Sequence, residues 1–186
     1  MNLLDLDARW RRFNDEDRAC PCCGRQFNGV FDIGFDHPDA WSHGPLPEGE
    51  AELAVGEDKL GTDLCRIGDD RFIRCLLSLP IQGSDEVFHF GIWALVPAPA
   101  FYSYLDACFG EGTFDGCEAL TANALPSFDE GAALAATLVP GPDGQRPRLL
   151  VSDGPLSEAQ DKGISFDHLL DIYAASGADI RPHLAG

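Results

Sequence analysis

Three apolar runs in the middle of the chain constrain the fold more than any other feature. Residues 64–67, 71–81 and 87–96 are separated by Gly68-Asp69-Asp70 and by a short polar link, Gln82 to Glu86. Glycine and aspartate between apolar runs predict a hairpin turn. In the third run Phe88, Phe90, Ile92 and Ala94 alternate with Val87, His89, Trp93 and Leu95. Both faces therefore carry apolar groups, as in a central strand covered on two sides. Consecutive strands with short links form an antiparallel meander.

Around this centre the sequence reads as one α+β domain, a mainly antiparallel sheet flanked by helices. The N-terminal residues 1–19 predict a helix capped by Asp5 or Asp7, with Leu6, Trp10 and Phe13 at helical spacing. Asp15, Glu16 and Asp17 fall at its C-terminal end, where the helix dipole disfavours acids, so it is expected to be short. A single domain is expected over 20–176. Residues 27–36 read as a strand region and 37–60 as an irregular acidic loop anchored by Trp41. A helix is expected over 101–109, strands over 114–120, 134–139 and 148–151, and a helical turn or two over 157–162. Ser165 is placed to cap a last helix bearing Phe166, Leu169, Leu170 and Tyr173. Residues 177–186 are expected to be a loose tail.

Charge and cysteine usage narrow the function classes. Thirteen Lys and Arg face 31 Asp and Glu, a formal net charge of −18. Such a field repels nucleic acid and anionic membranes and favours a basic protein partner. The seven cysteines, with no signal-like h-region and no membrane-length apolar run, predict a reducing cytoplasm, where cysteines are buried thiols or metal ligands. Cys20 and Cys23 have the spacing with which two thiolates grip one zinc ion, and Gly24 permits the tight turn. Cys65 and Cys75, on neighbouring predicted strands, complete the expected set of four ligands, with Cys22 as an alternative; unliganded thiols packed in a turn remain an equal reading. Cys108 and Cys117 read as core residues. His89 reads as a histidine satisfied by a neighbour on the sheet, and His37 as fixing a turn.

No catalytic set is complete. Cys65 or Cys75 with His89 could be drawn as a thiol–imidazole site, which is the enzymatic alternative. The acid pairs Asp69-Asp70, Asp85-Glu86 and Asp129-Glu130 sit in predicted turns and read as solvated. The chain thus reads foremost as an acidic, non-enzymatic interaction protein, an adaptor, inhibitor or immunity-type binder, with a structural zinc knuckle.

Several motifs recur together: Cys20-Pro21-Cys22-Cys23-Gly24, the aromatic-acidic segment from Phe35 to Trp41, Asp63-Leu64-Cys65-Arg66-Ile67, and Phe88-His89-Phe90-Gly91-Ile92-Trp93. They are followed by Arg146-Pro147, Gly154-Pro155-Leu156 and Asp161-Lys162-Gly163-Ile164-Ser165. This series resembles the bacterial family catalogued as domain of unknown function 2199, over roughly residues 20–173. The resemblance implies no activity. Relatives typically carry a histidine shortly after the Cys-Gly pair, where this chain has Phe27, and His-Pro-Leu where it has Gly154-Pro155-Leu156.

Overall fold

The computed structural model describes residues 1–128 and 131–186; the expected acid pair Asp129-Glu130 lies outside the described residues. The three central runs form β4 (Leu64–Ile67), β5 (Asp70–Pro80) and β6 (Val87–Val96). β4 meets β5 antiparallel with Ile67 opposite Asp70, so the turn is the two-residue loop Gly68-Asp69. Gly68 sits at φ +53° there, a conformation that favours glycine. β5 and β6 pair antiparallel over a continuous ladder from Arg71↔Val96 to Pro80↔Val87.

The rest of the sheet grows from that ladder. β7 (Cys117–Thr121), β8 (Ala135–Val139) and β9 (Arg148–Val151) follow β6 antiparallel. β9 then returns to β5 in a parallel pair, Leu76↔Arg148. The pairings β5-β6-β7-β8-β9 therefore close into a ring. On the far half of β5, β4 leads to the hairpin of β2 (Glu52–Val55) and β3 (Asp58–Gly61). β1 (Ile33–Gly34) adds in parallel to β6. The nine-stranded sheet is thus mixed, its two parallel pairs lying at β1–β6 and β5–β9.

Strand alternation splits the apolar side chains into two cores. Ile73, Cys75, Leu77 and Leu79 of β5, with Phe88, Phe90 and Ile92 of β6, enter the main core. There they meet α3 (Gly154–Lys162) and α4 (Phe166–Ala175), through Leu156, Leu169, Leu170 and Tyr173. Phe72 and Trp93 point the other way, into a smaller core with Trp41, Leu60 and Cys65. Trp41, read from the sequence as an anchor, and Trp93 are both buried here. α2 (Ala98–Cys108) buries only Phe101, so Cys108, expected in the core, is exposed at its end. Among the described residues no helix is long and apolar enough to cross a membrane.

Three local expectations differ from the structure. The segment 37–60 contains β2 and nearly all of β3, a hairpin whose turn Gly56-Glu57 is masked by acidic composition; β2 is the sheet's edge strand, exposed except at Leu53. Of residues 27–36 only Ile33 and Gly34 pair as a strand. Phe31 needs no ladder, because its N–H donates to Tyr173 Oη (3.1 Å) and its carbonyl accepts from the same hydroxyl (2.8 Å). The C-terminal residues are docked: Ile180, just before α5 (Arg181–Leu184), and Leu184 within it are fully buried.

The N-terminus is as short as its charges predict. A 3-10 turn (Leu3–Leu6) precedes α1 (Ala8–Phe13), six residues long, whose cap Asp7 accepts from the Arg9 N–H. Trp10 and Phe13 pack against Phe166, with ring centroids 5.0 and 5.7 Å away. Ser165 caps α4 by accepting from the His168 N–H at 3.1 Å.

The Tyr173 hydroxyl is the polar link that holds the segment after the cysteine turn onto α4. Tyr173→Phe leaves both Phe31 backbone groups without that partner. It is expected to destabilise the fold by about 1–3 kcal/mol, read as a lowered urea midpoint with unchanged m-value.

Candidate metal centre

The turn after α1 is built to aim sulfur atoms at one point. Ala19 and Gln26 form an isolated antiparallel bridge. Within it the Cys20 N–H donates to the Arg25 carbonyl and the Gly24 N–H to the Cys20 carbonyl, each at 2.8 Å. Gly24 adopts φ +74°, which a side chain would strain. The Cys20 sulfur lies 3.0 Å from that of Cys22. Cys20 is buried, while Cys22 and Cys23 are exposed.

A histidine from the far end of the chain completes the group. His183 sits on α5, which the N-terminal arginines hold in place. Arg12 donates to the Leu184 carbonyl (2.8 Å) and Arg18 to the His183 carbonyl (3.0 Å). These guanidinium bonds satisfy carbonyls at a helix end that have no partner within the helix. The His183 ring also packs 6.0 Å from Phe27, over which Arg25 lies at 4.7 Å. His183 Nδ1 is then 3.3 Å from the sulfur of Cys23, 3.4 Å from Cys20 and 4.0 Å from Cys22. The four donor atoms all lie within 4.8 Å of one another, close enough to hold one metal ion.

The electrostatics mark Cys20 as the thiolate of the group. Its pKa is lowered to about 6 by the hydrogen bond from Cys22, then by His183 and by the backbone N–H groups of Cys22 and Cys23. Cys22 is raised to about 11, chiefly because its proton serves Cys20. A thiolate, not a thiol, ligates metal.

Of the residues read from the sequence as ligands, the structure brings Cys20 and Cys23 together and leaves Cys65 and Cys75 out of the group. Register explains why those two cannot share an ion even with each other. Cys65 lies opposite Phe72, and Cys75 is an odd number of residues further along β5, so their side chains leave opposite faces of the sheet. Cys65 is buried in the small core and Cys75 in the main one. Burial pushes the Cys65 thiol up to about 12 and raises Cys75 as well. Cys75 gives its S–H to the Ile92 carbonyl at 3.4 Å.

The same register separates these thiols from His89. Cys75 lies opposite Ile92, an odd step from His89 and so on the other face. Cys65 shares the face of His89 but stands level with Leu95, across Phe72; His89 is six residues away along β6, on the order of 20 Å. His89 Nδ1 instead meets Ser78 Oγ at 2.8 Å, and His37 Nδ1 meets the Pro38 carbonyl at 2.9 Å. Cys22 was visible in the sequence as an alternative ligand. His183 carried no local signal beyond its residue type.

Because Cys22 supplies the first support of the Cys20 thiolate, Cys22→Ala should raise the Cys20 midpoint from about 6 toward the ordinary thiol value. In metal-free protein Cys20 is therefore ionised at neutral pH and takes up its proton as pH falls through about 6. Ultraviolet thiolate titration of wild type and Cys22→Ala checks both statements; coincident curves would contradict them.

No curated protein and no solved structure matches the chain. A family model described as an uncharacterized protein conserved in bacteria, DUF2199, matches residues 19–164, a span that includes the three cysteines and ends before His183. The chain belongs to that bacterial family, and its Cys20, Cys22, Cys23 and His183 form a group close enough to bind a metal.

Proposed function

We propose that the protein is a non-catalytic binding protein whose two chain ends are stapled together by a structural zinc ion. The convergence of three sulfurs and one imidazole nitrogen within 4.8 Å carries this reading. Zinc–sulfur bonds of about 2.3 Å and zinc–nitrogen bonds of about 2.0–2.1 Å put tetrahedral donors roughly 3.5–3.8 Å apart. The spacings of 3.0, 3.3, 3.4 and 4.0 Å bracket that range. A Cys3His set fills all four positions of the tetrahedron, which is the pattern of structural rather than catalytic zinc. Soft thiolates with one imidazole favour zinc over magnesium or calcium.

The binding role rests on the charge. With −18 on 186 residues, a basic protein surface is the partner that the long-range field attracts. Such an association weakens as salt rises. The cytoplasm suits a protein whose seven cysteines are all free thiols.

A second reading, a thiol enzyme, is favoured by one observation. Cys20 and His183 form a close sulfur–imidazole pair with a depressed thiol pKa, the arrangement of an activated nucleophile. Zinc occupancy separates the two readings, because a bound ion consumes that thiolate.

Elemental analysis of the purified protein is expected to find one equivalent of zinc. His183→Ala and Cys23→Ser should lose most of it, while Cys65→Ala should retain it. Chelation should release the C-terminal turn, seen as faster amide exchange at residues 183–185. Zinc below about a tenth of an equivalent, with Cys20 readily alkylated, would remove the staple and favour the thiol enzyme.

A further inference from the structure

We infer that the groove between α2 and the outer half of the sheet is a binding site for an organic oxyanion, a phosphate or carboxylate carried on a flat apolar group. Lys59 lies directly opposite Arg66, and Arg66 directly opposite Arg71. Residues paired across strands point to the same face with Cβ atoms about 4.5–5.5 Å apart. β3, β4 and β5 therefore present one row of three cations to the groove, which all three line. Like charges placed directly opposite destabilise a sheet. Slippage cannot relieve the row, because its reverse face, Leu60, Cys65 and Phe72, is buried in the small core.

The surroundings leave this charge available. In a chain with 31 acids to 13 bases, the groove is lined, among the described residues, by four cations, Lys59, Arg66, Arg71 and Arg146, and three carboxylates, Glu52, Asp63 and Asp143. Glu52 is taken by Lys59 at 2.9 Å and Asp63 by Arg146 at 2.6 Å. Arg66 and Arg71 form no ion pair among the described residues. Asp58, whose charge Arg66 feels, is occupied by the Gly68 N–H and by His43 Nε2, each at 2.8 Å. The two arginines are instead oriented by neutral groups: Arg66 Nε donates to the Glu57 carbonyl (2.9 Å), one Arg71 Nη to the Gly68 (2.9 Å) and Asp70 (3.0 Å) carbonyls, and Arg71 Nε to the Tyr102 hydroxyl (3.4 Å). Arg66 uses only its Nε in these bonds, so its two Nη groups can meet an oxyanion by paired N–H donors, with the second Arg71 Nη beside them.

The opposite wall supplies the apolar part. The Arg71 guanidinium lies 5.9 Å from the centre of the Tyr102 ring. Tyr102 and Phe109 are 45% and 73% exposed on α2 and both line the groove. The groove as a whole encloses about 1370 Å³, room for a flat ring against the exposed faces of these two side chains. This site is independent of the cysteine cluster.

The test is calorimetric titration of the full chain at fixed ionic strength with phenyl phosphate, benzoate and inorganic phosphate. Saturable one-site binding is expected for phenyl phosphate or benzoate, the tighter of the two naming the oxyanion. Phenyl phosphate should bind at least about tenfold more tightly than inorganic phosphate. Arg66→Gln and Arg71→Gln should each weaken binding about tenfold or more, and Arg66→Lys, which keeps charge but loses the fork, should weaken it too. Lys162→Gln, remote and paired with Glu158, should bind as wild type. Ligand-free Arg66→Gln should melt at or above the wild-type temperature, since it relieves repulsion. Absence of saturable binding, or wild-type affinity in both Arg66→Gln and Arg66→Lys, overturns the site. A clear fall in the Arg66→Gln melting temperature shows the row to be structural and overturns it equally.

Discussion

The ladder between β5 and β6 is the constraint on which the remaining structure depends. Its unbroken register from Arg71↔Val96 to Pro80↔Val87 fixes which side chains enter the main core and which leave it. A one-residue slip would exchange Cys75, Leu77 and Ile92 with Arg74, Leu76 and Trp93, placing a guanidinium in the main core. The ladder is longer than either strand's other partnerships. β5 can therefore serve β9 at Leu76 and β4 at 70–73, while β6 serves β7 at 94–95 and β1 at 90–91. One hydrogen-bonded pair thus supports both the closed ring and the open extension that carries the cationic row.

The chain ends are joined by chemistry unrelated to the sheet. Short α1 offers little helical stability of its own, and its arginines serve other ends. Arg9 reaches Asp167 on α4 at 2.8 Å, Arg12 reaches Leu184, and the following Arg18 reaches His183. Together with Trp10 and Phe13 packed on Phe166, these contacts help to bring the cysteine turn and α5 together. A metal at the cysteine–histidine group would reinforce a geometry the arginines already establish. A site held in this way loses less conformational freedom on binding.

What could be read from the sequence, and what could not, follows the range of the interactions. β4, β5 and β6 were legible because period-two alternation and a glycine turn are local signals. So was the capping of α4 by Ser165. The cysteine turn was legible for the same reason, since Cys20, Cys23 and Gly24 are neighbours. Its fourth partner was not: His183 lies 160 residues from Cys23, and tertiary contacts, the packing of Ile180 and Leu184 and the bonds from Arg12 and Arg18, bring it there. Cys65 and Cys75 looked like candidates because their strands are adjacent, but adjacency says nothing about face. Parity does, and once the register is known it sends the two sulfurs into separate cores. The β2–β3 hairpin was hidden by its acids, although Leu53, Leu60 and the Gly56 turn were present in the sequence.

Charge is distributed by the same logic of faces. The exterior is acidic in aggregate, yet the three residues Lys59, Arg66 and Arg71 line up because β3, β4 and β5 each commit their alternate positions to the small core. Net charge describes the field far from the surface, whereas a ligand in a groove feels the nearest few groups. A strongly negative chain can therefore repel nucleic acid at long range and still hold a small anion at short range. The acidic surroundings then act as a filter, penalising extended polyanions that would overlap the surface beyond the groove and sparing compact ones that fit within it beside the arginine row.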